Sequence, residues 1–238
     1  MTQGTHQLAA TMINQLNRVD TVSNNLANAN TVGFKEDSLS EGSFNSYLNR
    51  VNEKGEDLSK HSYIMNTVPK IDNNYINSKL GSISITGNNL DFALSQADTY
   101  FKIQKDDGSI ELSRNGSFKI LDNQLVTQNG YKVLDKDNKP ILTTDSLFSS
   151  KISLVSENFN DLDKIGNNNY ISNNKNTKVI ENNQDYIIQG SLEKSNTNSM
   201  KAMISLIDAQ RRFEQAQKAM TGIDDMNKKV IDSIGNGR

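Results

Sequence analysis

The apolar residues at the two ends of this chain recur at alternating intervals of three and four, and those of the middle do not. From Leu8 to Leu26 there is no Pro or Gly. Met12, Val19 and Leu26 are seven apart, Leu8 and Val22 fall on the companion positions, and Gln15 is the one polar interruption. Such a pattern puts one apolar seam along a helix. The helix should stop near Asn28–Gly33, where Asn-Ala-Asn-Thr-Val-Gly offers residues tolerant of the left-handed conformation and a terminating Gly. At the other end Ala202, Leu206, Ala209, Phe213, Ala216, Met220, Ile223, Val230 and Ile234 keep the same spacing, with Asn227 as the polar occupant. Ser195, Asn196, Asn198 and Ser199 are N-cap candidates before it, and Gly235 and Gly237 end it. Each seam is too narrow for a helix buried in a core, so each needs a partner. The simplest partner is the other seam, which sets the chain ends side by side and makes everything between them an insertion. The alternative is that each helix packs on its own part of a globular core.

The middle alternates instead. Leu90–Leu94, Tyr100–Gln104, Ile110–Ser113, Ser117–Leu121, Gln124–Thr127 and Tyr131–Leu134 are short strand-like runs. They are punctuated by Asp106-Asp107-Gly108, Asn115-Gly116, Asp122-Asn123 and Asn129-Gly130. Lys151–Val155 and Tyr186–Gln189 are weaker strands, with Asn-rich exposed loops between them. These features predict an α+β fold: paired, coiled-coil-like N- and C-terminal helices carrying an inserted, mainly antiparallel β domain. The expected division is 1–34 with 191–238 as the terminal helical domain, 35–85 as an extended connector with local strands, and 86–190 as the β domain.

Little chemistry is on offer. Cys is absent, which removes disulfides, thiolate catalysis and cysteine zinc sites together. The two histidines, His6 and His61, read as solvated side chains. Asp135-Lys136-Asp137-Asn138-Lys139-Pro140 has a Lys at the fifth position and Pro in place of the turn Gly of a calcium loop, so a hairpin turn is expected. Ser191-Leu192-Glu193-Lys194 matches a Ser-x-x-Lys pattern without any companion motif, and there is no Gly-rich phosphate loop. The chain is therefore read as a non-enzyme with no metal and no cofactor. A net charge of −2 argues against a dedicated nucleic-acid binder. No apolar stretch approaches the roughly 18 residues of a membrane span, and no secretory leader is expected. Arg211, Arg212, Lys218, Lys228 and Lys229 give the C-terminal helix a basic face. In an assembly that face could meet acidic patches such as Glu36-Asp37 or Asp224-Asp225 on neighbours.

Three segments carry a resemblance. Ser23-Asn24-Asn25-Leu26-Ala27-Asn28-Ala29-Asn30-Thr31-Val32-Gly33-Phe34-Lys35 closes the first helix. Leu90-Asp91-Phe92-Ala93-Leu94, Tyr100-Phe101, Ser113-Arg114-Asn115-Gly116-Ser117-Phe118, Leu125-Val126-Thr127 and Gly130-Tyr131 follow in the middle. Gly190-Ser191-Leu192-Glu193-Lys194-Ser195-Asn196 and Gln210-Arg211-Arg212-Phe213-Glu214 stand near the end. In this order they resemble the signatures of the bacterial flagellar rod and hook family. The chain departs from the family pattern at Gln96-Ala97-Asp98-Thr99, where a Gly usually precedes the aromatic pair, and at Asn123-Gln124, where a Gly is usual. Residues 152–183 match poorly.

The resemblance implies a structural subunit of the basal-body rod, the axial drive shaft that carries torque and houses the export channel. The short chain and the Arg-Arg-Phe-Glu form favour the proximal-rod member, with the distal rod protein as the alternative. A monomeric β-domain binding module is the competing reading from another class. The implied partners are further copies in a helical assembly, other rod subunits above and below, and the flagellar type III export apparatus in transit. The implied place is the periplasm-spanning rod, reached without a cleaved leader. In this reading Leu8, Met12, Val19, Val22, Leu26, Leu206, Phe213, Met220, Ile223 and Val230 form the assembly interface, while Asn24, Asn25, Asn28 and Gly33 shape a sharp exit from the first helix. Two narrow seams are weakly stable alone, so the free ends are expected to order on assembly.

Overall fold

The computed structural model describes residues 2–42, 70–144, 148–174 and 177–235, and these fall into two compact units. One comprises 1–26, 37–75 and 198–238; the other comprises 27–36 and 76–197. His61 and the rest of 43–69 lie outside the described residues.

The first unit holds α1 (Thr2–Ala27), α2 (Ser199–Gly235) and a two-stranded ladder of β1 (Asp37–Gly42) with β2 (Lys70–Ile76). Helix α2 starts where Asn198 caps it: Asn198 Oδ1 accepts from Lys201 N–H at 3.0 Å, and its carbonyl accepts from Ala202 N–H. One orphan donor of the first turn is thereby satisfied. The burial of α2 follows the seam: Ala202, Ala209 and Ala216 are buried, and Leu206, Phe213, Met220, Ile223 and Asn227 are half-buried. Val230 and Ile234, the last seam positions, are exposed. On α1, Leu8, Met12, Val19, Val22 and Leu26 are half-buried. Gln15, the apparent interruption, is buried more deeply than any of them, at 7% exposure.

The second unit is built on β5 (Thr99–Gln104). Strand β6 (Ile110–Ser113) pairs along one edge of it. The other edge is shared by β10 (Leu154–Ser156) and β9 (Lys132–Val133). The sheet continues through β8 (Gln124–Thr127) to β7 (Phe118–Leu121) on one side. On the other it runs through β12 (Asn169–Ser172) to β11 (Leu162–Lys164), and β13 (Lys178–Ile180) adds to β10. Every pairing recorded in this sheet is antiparallel. Two short ladders flank it: β4 (Phe92–Leu94) with β14 (Ile187–Gln189), and β3 (Ile83–Ile85) with β15 (Ser191–Glu193).

Strand β5 is covered on both faces, and its period of two sorts its side chains. Phe101 and Ile103 join one cluster with Phe92, Leu94, Phe118 and Leu125. Tyr100 joins the other with Leu112, Val155, Leu162 and Tyr170. Turn chemistry closes the hairpins. Asp122 and Asn123 both take positive φ in the two-residue loop between β7 and β8, a geometry that Asp and Asn tolerate without Gly. Thus Asn123 supplies the left-handed turn residue where the family pattern has Gly. Asp135 Oδ1 accepts from the Asp137 and Lys139 N–H groups, so 135–140 is a hairpin turn.

Candidate functional site

The three signature segments meet on one carboxylate inside the second unit. Phe34 is buried there, under Lys164 Nζ, which lies 4.1 Å from the ring centroid. Lys35 follows it, fully buried. Its Nζ donates to Glu193 Oε1 at 2.7 Å and to the Lys79 carbonyl at 2.8 Å. Gly81 N–H gives Oε1 a second donor at 2.9 Å. Arg114, also fully buried, donates from Nε to Glu193 Oε2 at 2.8 Å, with Nη2 2.7 Å from the same oxygen. Its Nη1 donates to the carbonyls of Gln96, Ala97 and Thr99. The segment that departs from the family pattern therefore still wraps the arginine with three backbone acceptors. Oε1 of Glu193 accepts two hydrogen bonds, and Oε2 accepts one with a second guanidinium nitrogen close by, so both oxygens are compensated for the loss of water.

Backbone approaches tighten the same cluster. Gly33 N–H donates to the Glu193 carbonyl at 2.8 Å. Gly33 takes φ +67°, and a Cβ there would stand 2.5 Å from the Arg114 carbonyl oxygen. A Cβ on Gly116 would stand 1.8 Å from the Phe92 carbonyl oxygen. Gly33 therefore belongs to the packing of the β unit as well as to the exit from the helix. Gly33→Val is expected to lower the unfolding free energy of the β unit and its soluble yield. The left-handed backbone alone costs about 1–3 kcal/mol, before the clash; an unchanged urea midpoint would refute this.

The neighbouring motif polar groups are all engaged. Asn196 Oδ1 accepts from Glu36 N–H at 2.7 Å, and its Nδ2 donates to the Asn77 and Lys79 carbonyls. Ser195 Oγ accepts from Thr197 N–H, and Thr31 Oγ1 donates to Asn28 Oδ1. Phe118 is in the core, and half-buried Leu192 pairs in register with Ser84. In the first unit Asn25 mimics a strand partner: its Nδ2 donates to the Asp37 carbonyl and its Oδ1 accepts from Asp37 N–H. Asn24 and Ala27 are exposed, as are Gln210, Arg211 and Glu214 on α2. Gly81, Asn77 and Lys79 serve the cluster through backbone groups, which leave no mark in a side-chain pattern.

The cluster holds two cations on one anion. Burial and the Arg114 charge pull the Lys35 ammonium down to about 8, against the attraction and hydrogen bond of Glu193. From about pH 8 to the ordinary lysine value of 10.5, the unfolded chain keeps a proton that the folded chain has released. The Lys35 contribution to stability therefore rises with pH through that window, by at most about 1.4 kcal/mol per pH unit. Urea midpoints of wild type and Lys35→Met at pH 7.5, 8.5 and 9.5 check this: the slope should shrink in the variant, and parallel curves would contradict it.

On the first unit, Arg18 of α1 and Ile204, Ser205, Ile207, Asp208 and Arg211 of α2 line one groove. Ile13 and Leu16 on α1, and Met200, Met203, Ile204 and Ile207 on α2, are exposed. So is the last stretch of α2 with Met226, Ile231 and Ile234. Among the described residues there is no group of three or more His, Cys, Asp or Glu placed to hold a metal ion. No helix of the described residues is long and apolar enough to cross a membrane. His6 is exposed.

Known families match in the same three places. The family "Flagella basal body rod protein" matches residues 8–35. "Flagellar hook protein FlgE/F/G D1 domain" matches 96–163, and "Flagellar basal body rod FlgEFG protein C-terminal" matches 188–233. The flagellar basal-body rod protein FlgF of Mesorhizobium japonicum is 28% identical over 92% of each chain. The rod protein FlgG of Buchnera aphidicola from Acyrthosiphon pisum is 28% identical over 88% of this chain and 91% of its own. The flagellar hook-basal body complex protein FlhO of Bacillus subtilis is 26% identical over 99% of both. With one family description on each of the segments that converge at Glu193, the chain belongs to the flagellar basal-body rod and hook family.

Proposed function

We propose that this chain is a structural subunit of the flagellar rod that polymerises through its terminal helices, with the proximal rod as its place. The observation that carries the reading is α2. It spends one stripe on burial and leaves large apolar side chains exposed on another, from Met200 to Ile234. Exposed apolar surface of that extent on a helix marks a surface to be covered by another chain.

The helices pair antiparallel in this reading. Arg18 shares its groove with Ser205–Asp208. Sixteen residues back from Arg18 is Thr2, and sixteen on from Ile207 is Ile223. Half-burial along the seam ends just there, at Ile223 and Asn227. Leu8, Met12, Val19, Val22, Leu26, Leu206, Phe213, Met220 and Ile223 then hold the two helices of one chain together. Val230 is left to face a neighbour.

The Arg211-Arg212-Phe213-Glu214 form supports the proximal position. Other rod subunits, and the export apparatus in transit, are the further partners of this reading, in a rod that crosses the periplasm. The test is an epitope-tagged chain in purified hook–basal bodies of the source bacterium. Label at the membrane-ring end supports the proximal reading, label at the hook end supports the distal one, and no incorporation removes both.

A further inference from the structure

Two lysines lie side by side on one face of the β sheet, and among the described residues neither ammonium has a hydrogen-bond acceptor or an ion pair. Phe101 and Ile103 of β5 enter one core cluster, and Tyr100 enters the other. Alternation therefore puts Lys102 on the Tyr100 face. Lys132 precedes the core side chain Val133 on β9, so it shares that face. Ile103 pairs with Val133 and Gln104 with Lys132, which makes Lys102 and Lys132 diagonal neighbours on adjacent strands. Lys102 is only 9% exposed, with buried Leu112 opposite it on β6 and buried Leu134 donating its N–H to the Lys102 carbonyl. Ser153 adjoins Lys102 at the start of β10, accepting its N–H at 3.4 Å, and the buried Ser153 Oγ has no partner among the described residues. Asp135 attracts Lys102 from beyond ion-pair distance, and Asp135 Oδ1 is committed to the N–H groups of its turn. Burial holds the Lys102 ammonium below its ordinary value. Lys119, farther along the same face, is already held by the Gln128 carbonyl.

A largely desolvated ammonium without a partner is costly, and a carboxylate brought to it gains more than it would at an exposed lysine. Diagonal neighbours on a sheet stand roughly 7–8 Å apart. Alternate side chains of an extended chain stand about 7 Å apart. We infer that this face binds an extended acidic segment of a partner protein, with carboxylates at alternate positions seated on Lys102 and Lys132. The flanks of the face are apolar: Ile110, paired with Gln104, is 41% exposed, and Leu121, two residues from Lys119, is 52% exposed. Apolar flanks suit a peptide with aliphatic side chains better than a nucleic acid or a layer of lipid headgroups. No residue of α1 or α2 takes part, so the inference goes beyond assembly through the terminal helices.

The test uses the full-length chain and a fluorescein-labelled octapeptide of alternating Glu and Thr, read by fluorescence anisotropy at low ionic strength. The same peptide with Gln in place of Glu is the control. Saturable one-to-one binding of the Glu peptide, absent for the Gln peptide, is the expected result. Lys102→Met and Lys132→Gln should each weaken it at least about tenfold, and Lys178→Gln, at an exposed lysine elsewhere in the β unit, should leave it unchanged. Lys102→Met keeps the apolar stem and removes an unpaired buried charge, so its urea midpoint should not fall. Lost binding in a variant of unchanged midpoint then belongs to the site. Lys132 is half-buried, so Lys132→Gln reads the same contact if Lys102→Met disturbs the fold. A Glu peptide that does not bind, or binds equally to both variants, would overturn the inference. So would binding to phosphatidylglycerol vesicles without binding to the peptide, which would make the face a membrane contact. Incorporation of the tagged chain into basal bodies is read separately, so failure here leaves the rod reading intact.

Discussion

Glu193→Gln is expected to cost the β unit about 3–5 kcal/mol, the usual penalty for leaving a buried charge without its partner. The carboxylate accepts from Lys35 and Gly81 on one oxygen and from Arg114 on the other. A neutral amide offers one acceptor atom in place of two, and its NH2 would face cations. Lys35 can answer by giving up its proton; Arg114 cannot, and its charge stays buried. Lys35→Met is expected to cost less than half as much. It removes one of two cations, and Glu193 keeps both Arg114 contacts and the Gly81 donor. Urea unfolding of the two variants at pH 7 measures the order. Lys35→Met costing more than Glu193→Gln would contradict the account, because the anion would then not be the hub.

Phe213→Asp is expected to abolish assembly while the β unit remains folded. Phe213 is half-buried, between Ala209 at 0% exposure and buried Ala216. A carboxylate there would sit in the seam without a partner, which opposes the pairing of the helices. The β unit contains no residue beyond 197, so its unfolding free energy should move by less than about 0.5 kcal/mol. Sedimentation reads the first effect. The near-ultraviolet dichroism of the buried Tyr100 and Tyr170 reads the second. A variant that still assembles, or whose aromatic signal is lost, would place Phe213 in a different role.

Periodicity and turn chemistry were the legible parts of this fold. The seam of α2 is set by spacing alone, and Ile110–Ser113 and Gln124–Thr127 are strands with the bounds that their alternation predicts. Polarity misled at Gln15, which is buried at the position that the spacing of the seam assigns to it. The Asn content reads as mere composition until the backbone is seen: Asn123, Asn138, Asn167 and Asn168 all take positive φ. The three-residue strands β11, β13 and β15 carry too few side chains to show an alternation. The Glu193 cluster was legible only as a family pattern. Lys35, Arg114 and Glu193 lie far apart in the chain, and no local rule selects those three charges from the 54 that the chain holds. Their selection is made by the surrounding carbonyls and by glycines that admit a neighbouring backbone.

The most direct test of assembly through the terminal helices is hydrogen exchange by mass spectrometry on the dilute monomer and on the assembled rod. Helices 2–27 and 199–235 should exchange quickly in the monomer and become protected in the assembly, while 99–127 stays protected in both. Terminal helices equally protected in a monomer that never associates would contradict the account and favour a monomeric binding module.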